Sequence, residues 1–112
     1  MALSEDQLTE IIKGFITRLK QEIPIKEVFL FGSGANGEFK DHSDVDIAVI
    51  SNWFEGKPKI KNMQYLSRIA ASCNSIIEAL PFTEEEYRNL DKRTFLARIV
   101  RTGRSFSKLL EQ

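Results

Sequence analysis

Two short apolar runs separated by only a dozen residues constrain the fold more than any other feature. Residues 28–31 read Val-Phe-Leu-Phe, and residues 44–50 are apolar and β-branched after an acidic start. Such residues favour strands, so we expect two neighbouring core strands. The connecting segment, 32–43, contains Gly32, Gly34 and Gly37 and a charged stretch, which argues against a long crossover helix between the strands.

The N-terminal segment has the pattern of an amphipathic helix. Ser4 and Gln7 have the spacing of a capping box, in which each residue satisfies a free backbone N–H group of the other. Apolar residues then recur at helical spacing as far as Leu19. Because proline interrupts helices, Pro24 is predicted to end this one before the first strand.

The second half of the chain predicts three more helices and one more strand. Residues 60–73 have an approximate apolar face, and residues 75–80 read as a strand that Pro81 ends. Thr83 and Glu86 form a second capping-box pattern, for a short helix that extends to Leu90. A last helix is predicted to begin at Asp91 and to end at Gly103, with a further turn or two over residues 105–110. This order predicts an α/β (α+β) domain, a small sheet flanked by helices.

Composition narrows the class of protein. At 112 residues the chain is long enough for one core, so we expect a single domain over residues 1–112. Lysine plus arginine and aspartate plus glutamate are balanced at 16 each, so charge does not indicate a nucleic-acid or membrane partner. A lone Cys73 excludes an internal disulfide framework, and no apolar run is long enough to span a bilayer. These features predict a cytoplasmic protein.

The glycine-rich segment suggests a dinucleotide-binding turn, but its context argues against one. Gly32-Ser33-Gly34-Ala35-Asn36-Gly37 matches the pattern G-x-G-x-x-G after a predicted strand. That motif requires a helix to start at the glycines, and only six residues remain between Gly37 and Asp44. The carboxylates also come too early for the usual ribose ligand. No lysine followed by serine or threonine completes a Walker A loop.

The carboxylates of Asp44 and Asp46 are the strongest sign of chemistry. Residues two apart in a strand project to the same face, at Cα atoms about 6 to 7 Å apart. Such a pair suits Mg²⁺, which is usually held by one or two carboxylates together with substrate phosphates. Gly32, Ser33 and Gly34 would offer backbone N–H groups and a hydroxyl to those phosphates. The alternative is that Asp44 caps the strand and Asp46 is solvated at a sheet edge.

The spacing of these residues resembles a known family. Gly32-Ser33, ten further residues and Asp44-x-Asp46 are similar to the signature of the DNA polymerase β-type nucleotidyltransferases, and most of all to minimal nucleotidyltransferase (MNT) domains. The resemblance implies a mixed sheet, two Mg²⁺ ions and a bound nucleoside triphosphate, with ATP the expected donor. It also implies transfer of the nucleoside monophosphate to an acceptor hydroxyl, with release of pyrophosphate.

The resemblance also implies a third carboxylate on a later strand, for which Glu78 is the candidate, as a metal ligand or general base. Many relatives have aspartate at that position, and a glutamate side chain is one methylene longer. Many also carry arginines in the turn, where this chain has Gly34 and Asn36. The absence of those two charges keeps a weakly catalytic or non-catalytic member as the alternative.

The resemblance further suggests what the protein acts on. MNT proteins resemble the antitoxin half of pairs with helical HEPN-domain toxins, so a HEPN-type partner that is modified or merely bound is expected. A homodimer is the other expected assembly.

Several further residues remain open between a functional and a structural role. Trp53 and Phe54 would form either a lid that stacks on a base or part of the core. Cys73 is expected in the core. Arg101 and Arg104, with Lys108, would form either a basic stripe near the C-terminus that reaches triphosphate or a partner protein, or a solvated helix face. Arg93 and Arg98 are equally ambiguous.

Overall fold

The computed structural model describes residues 3–32 and 44–111. Four α-helices and four β-strands lie within these ranges, with short 3-10 helices at Asn52–Phe54 and Ser107–Glu111. The helices are α1 (Glu5–Lys20), α2 (Lys59–Cys73), α3 (Glu84–Arg88) and α4 (Phe95–Thr102). The strands are β1 (Glu27–Phe31), β2 (Val45–Ile50), β3 (Ile77–Phe82) and β4 (Arg104–Ser105). None of the helices in these two ranges is long and apolar enough to cross a membrane.

The strands form one mixed sheet in the order β3-β2-β1-β4. Strand β1 is antiparallel to both β2 and β4, whereas β2 and β3 are parallel. This confirms the predicted small sheet flanked by helices. It also excludes the dinucleotide-binding interpretation, because a βαβ unit requires its two strands to be parallel.

The two faces of the sheet are covered very differently. One face packs against α1 and α2 in a large apolar core, to which β2 contributes Val45, Ile47 and Val49. The other face packs mainly against α4, through a smaller cluster that includes Ala48, Ile50 and Ile99. Because side chains alternate along a strand, Asp46 lies on the same face as Ala48 and Ile50. The less covered face therefore carries the carboxylate.

The helix starts follow the predicted caps in two of three cases. Both predicted capping boxes are present, at Ser4 with Gln7 and at Thr83 with Glu86. Helix α4 begins later than predicted, because its cap is Thr94, whose hydroxyl accepts from the N–H of Ala97. Asp91 instead stabilises the preceding turn, where its carboxylate accepts from the backbone N–H of Arg93.

The predicted bounds of β3 and two predicted burial states are wrong. The strand begins at Ile77 and not at residue 75. Strand β3 continues through Pro81 to Phe82, which is possible because it is an edge strand that needs hydrogen-bond donors on one side only. The end of α1 precedes Pro24 and lies at Lys20. Cys73 is exposed in the last turn of α2, and Ile60 in its first turn is 58% exposed, so neither belongs to the core.

The C-terminal segment differs most from its prediction. After Gly103, residues Arg104–Ser105 pair with β1 as a fourth strand, and the predicted turn begins only at Ser107. Gly103 does end α4, and a Cβ atom there would lie 2.6 Å from the carbonyl oxygen of Ile99 and 2.7 Å from that of Leu30. A glycine is therefore required where α4 meets β1.

Candidate active site

Asp46 lies in an inner strand of the sheet and is paired on both sides. Its register partners are Phe31 on β1 and Glu78 on β3. Strand β2 is not an edge strand, so the alternative of a solvated aspartate at a sheet edge is wrong. Because β2 and β3 are parallel and in register at this point, the carboxyl groups of Asp46 and Glu78 project side by side from one face. Glu78 is exposed, and Asp46 is partly buried.

The neighbours of Asp46 disfavour its charge. Burial, the Glu78 carboxylate, a side-chain hydrogen bond with Glu78 and the Asp44 carboxylate together raise the pKa of Asp46 from 3.8 to about 6. Burial contributes most and Asp44 least. Two carboxylates that share a site cannot both ionise easily unless a cation lies near them. The site therefore has a local excess of negative charge.

Asp44 precedes the strand. Strand β2 begins at Val45, and Asp44 is exposed just outside it. It is near enough to raise the pKa of Asp46 by charge repulsion. The structure thus brings Asp46 and Glu78 together and places Asp44 beside them. The prediction that all three bind metal remains a prediction.

Gly32 is fitted to this site by its lack of a side chain. Its φ of 76° lies in the left-handed region that favours glycine. A Cβ atom at Gly32 would lie 2.7 Å from Oδ2 of Asp46, closer than real contacts allow. The other two predicted phosphate-binding residues, Ser33 and Gly34, lie outside the described residues.

The donor set suits a hard cation. Carboxylate oxygens are the ligands that Mg²⁺ prefers, and a cation would relieve the repulsion that raises the pKa of Asp46. Within residues 3–32 and 44–111, no group of three or more His, Cys, Asp or Glu side chains is arranged to hold a metal by itself. Magnesium sites of this kind are usually completed by substrate phosphates and water.

A pocket with a volume of about 540 Å³ opens at Asp46. Helix α4 forms its opposite wall through Phe95, Arg98, Ile99 and Thr102. The rings of Phe31 and Phe95, which also line it, meet edge to face with centroids 5.6 Å apart. Among the described residues, the pocket is thus lined by one carboxylate, two aromatic rings and one guanidinium.

Arg98 is the site residue that the sequence left ambiguous. Residues 95, 98, 99 and 102 have the spacing of one helical face, which was the available signal. Sequence spacing could not show that this face would flank Asp46. The proposed basic stripe does not form: Arg104 lies on β4, where its Nη2 pairs with Glu5 Oε2 at 3.1 Å, and Arg101 is exposed and outside the pocket lining.

Trp53 and Phe54 are structural. They follow the C-terminal end of β2, whereas Asp46 lies near its N-terminal end. Phe54 is 2% exposed. The Trp53 ring packs on Tyr65 of α2, with centroids 4.7 Å apart. The core interpretation is therefore correct, and a lid at these residues is excluded.

One family model and one solved structure relate the chain to known proteins. Among curated proteins, no sequence matches the chain. A solved structure from Sulfolobus solfataricus, described there as a candidate nucleotidyltransferase, has the same fold with a TM-score of 0.62 at 23% identity, over 74% of this chain and 73% of that one. The model of the nucleotidyltransferase domain matches residues 12–101, a range that includes Asp44, Asp46, Glu78 and Arg98. With most of its length matched by that model, the chain belongs to the nucleotidyltransferase domain family.

Proposed function

We propose that this protein transfers a nucleoside monophosphate from a magnesium-bound nucleoside triphosphate, with ATP as the expected donor, to a hydroxyl acceptor. The observation that carries the proposal is the side-by-side placement of Asp46 and Glu78 at the edge of a pocket whose other wall carries Arg98. A pocket with the Asp46 carboxylate on one side and a guanidinium on the other suits a ligand that is itself a cation–polyphosphate pair.

Asp44, Asp46 and Glu78 are the residues that would hold the metal. When bound there, divalent cations would offset the charge of the phosphates and stabilise the attacking and leaving oxygens. The carboxylates must be ionised for this, and the raised pKa of Asp46 shows that ionisation without a cation is costly. The lack of a side chain at Gly32 keeps Oδ2 of Asp46 accessible from the β1 side.

The transfer needs no covalent intermediate with the protein. The acceptor oxygen attacks the α-phosphorus, the bond from that phosphorus to the bridging oxygen breaks, and pyrophosphate leaves with the electron pair. Glu78, which is exposed beside Asp46, would take the proton of the acceptor hydroxyl. Most of the catalysis would come from positioning and from charge stabilisation.

The position of the isotope label distinguishes transfer of the nucleoside monophosphate from transfer of the terminal phosphate. The protein is incubated with Mg²⁺, a candidate acceptor, and ATP labelled at either the α- or the γ-phosphate. Nucleotidyl transfer predicts that the α-label moves to the acceptor while the γ-label leaves as pyrophosphate.

Asp46→Asn should reduce the transfer at least a hundredfold. Asp6→Asn, on the helix that covers the opposite face of the sheet, serves as the matched control. Equal transfer by Asp46→Asn and wild type would refute the proposal.

A second candidate function is supported by the turn composition. Gly34 and Asn36 provide no positive charge for phosphates, which suits a protein that acts by binding a helical HEPN-type partner with little or no catalysis. Co-expression with such a toxin separates the two. If Asp44→Asn/Asp46→Asn still restores growth, neutralisation is by binding; if growth is lost while the complex still forms, catalysis is required.

A further inference from the structure

Arg98 is placed where a phosphate-binding cation is needed. Among the described residues that line the pocket at Asp46, it is the only cationic side chain. Its neighbours Ala97 and Ile99 are buried against the sheet, whereas Arg98 is exposed along the pocket side of α4. Arg98 is therefore an exposed arginine at the pocket that Asp46 also lines.

The Arg98 guanidinium is also uncommitted within residues 3–32 and 44–111. No described residue forms an ion pair or a side-chain hydrogen bond with it, although Asp46 lines the same pocket. By contrast, the Arg93 and Arg104 side chains are engaged by Asp91 and Glu5. A cation and an anion that face one pocket without pairing leave room for a ligand that carries both charges.

The other polar group on this wall is less available. The hydroxyl of Thr102 donates to the carbonyl oxygen of Arg98 at 2.8 Å, so its hydrogen is already used within the helix. Phe95 and Ile99 offer only apolar surface. Of the side chains that α4 contributes to the pocket, only Arg98 can supply donors to an anion.

We propose that Arg98 binds the phosphate chain of the nucleotide and supplies positive charge that the turn, with Gly34 and Asn36, does not provide. The inference rests on the proposed function and names a phosphate-binding residue for it. A guanidinium is suited to this role because it is always charged and its planar fork can donate two hydrogen bonds to one phosphate.

The experiment compares Arg98→Ala with Arg101→Ala, an exposed arginine on the same helix that does not line the pocket. Calorimetry with Mg²⁺ measures the binding of ATP and, separately, of inorganic tripolyphosphate. Arg98→Ala should weaken both by about ten- to a hundredfold, as expected for the loss of charge-assisted hydrogen bonds. Arg98→Lys should recover part of the loss, because it restores the charge without the fork, and Arg101→Ala should bind as wild type does.

The outcomes separate this inference from the proposed function. If wild type binds ATP and Arg98→Ala binds it equally well, the role of Arg98 is refuted and the proposed function stands. A loss for ATP without a loss for tripolyphosphate would also refute a phosphate contact. If wild type binds neither ligand, both proposals fail. Circular dichroism of each variant ensures that a loss reflects the removed side chain.

Discussion

At the scale of single residues, the protein is organised around the partly buried carboxyl group of Asp46. It is held next to Glu78 by the register of two parallel strands, and Gly32 leaves the space for its Oδ2 atom. Without a bound cation, ionisation of this carboxyl group does not stabilise the folded protein. The residue is therefore better explained by a ligand than by stability.

The raised pKa of Asp46 predicts a specific pH dependence in the absence of metal. Its native pKa of about 6 lies above the ordinary 3.8, so the native state binds this proton more tightly than the unfolded state. The stabilisation from Asp46 is therefore complete below about pH 4 and is lost as pH rises through about 6. Asp46→Asn should therefore exceed wild type in stability at pH 7.5, because it removes a charge that the folded state disfavours. The expected gain is only about 1 kcal/mol, because solvent screens the repulsion at a partly exposed group.

Urea unfolding with a chelator present, from pH 4 to 7.5, measures this difference. The gap between Asp46→Asn and wild type should close as pH falls. Glu78→Gln should show part of the same gain, since it removes one cause of the shift. A gap that does not change with pH would contradict the assigned environment of Asp46.

A comparison of Gly32 with Gly56 separates the effect of backbone strain from the effect of a side chain placed against Asp46. Both have positive φ, 76° and 78°, but only at Gly32 would a Cβ atom meet another group, Oδ2 of Asp46. Alanine at either position should cost about 1 kcal/mol of stability from the backbone conformation. Only Gly32→Ala should also weaken magnesium-dependent ATP binding, measured by calorimetry. Equal binding losses for both variants would show that Gly32 has no special role.

At the scale of elements, the contact between α4 and β1 sets the geometry of the pocket wall. Gly103 ends α4 within van der Waals reach of the Leu30 carbonyl, where a Cβ atom would overlap two backbone oxygens. Backbone atoms cannot move aside as a side chain can. The position of Arg98 therefore depends on the close approach at Gly103.

Gly103→Ala is expected to destabilise the protein by about 1 to 3 kcal/mol, the usual range for overpacking. Gly14→Ala, in α1 with no atom near the added Cβ, should instead stabilise it by about 0.5 to 1 kcal/mol. Thermal unfolding of both variants gives the comparison. A neutral Gly103→Ala would mean that α4 docks more loosely than the structure shows.

Local patterns predicted the elements whose signals lie in adjacent residues. Capping boxes at Ser4 and Thr83 and the apolar runs of β1 and β2 were sufficient, because each depends on neighbours in the sequence. Strand β4 could not be predicted, since its two residues pair only through a contact with β1, more than seventy residues away in the chain. Cys73 was misplaced because the buried face of α2 is chosen by α1 and β3.

The candidate site was predicted to a similar degree. Asp46 was identifiable as an acidic residue inside an apolar strand, and Glu78 by its resemblance to a family pattern. That the two are register partners depends on strand pairing, which no local pattern specifies. Arg98 depends on both the docking of α4 and the rotation of that helix about its axis, so its sequence spacing alone was uninformative.

At the scale of the whole molecule, the two faces of the sheet have different roles, one in folding and one in ligand binding. The face covered by α1 and α2 carries the larger core, while the face under α4 remains open at the Asp46 end. Substitutions in the first face should affect folding, and those around the pocket should affect ligand binding. We therefore expect metal and nucleotide to bind at the Asp46 end of the second face.

A crystal structure with Mn²⁺ and an ATP analogue whose α,β-bridging oxygen is replaced by a methylene group would locate both ligands. We expect anomalous Mn²⁺ density at the carboxylates of Asp46 and Glu78, with the phosphates lying between the metal and Arg98. Nucleotide bound elsewhere, for example near Trp53 at the other end of β2, with no metal at Asp46, would contradict this expectation.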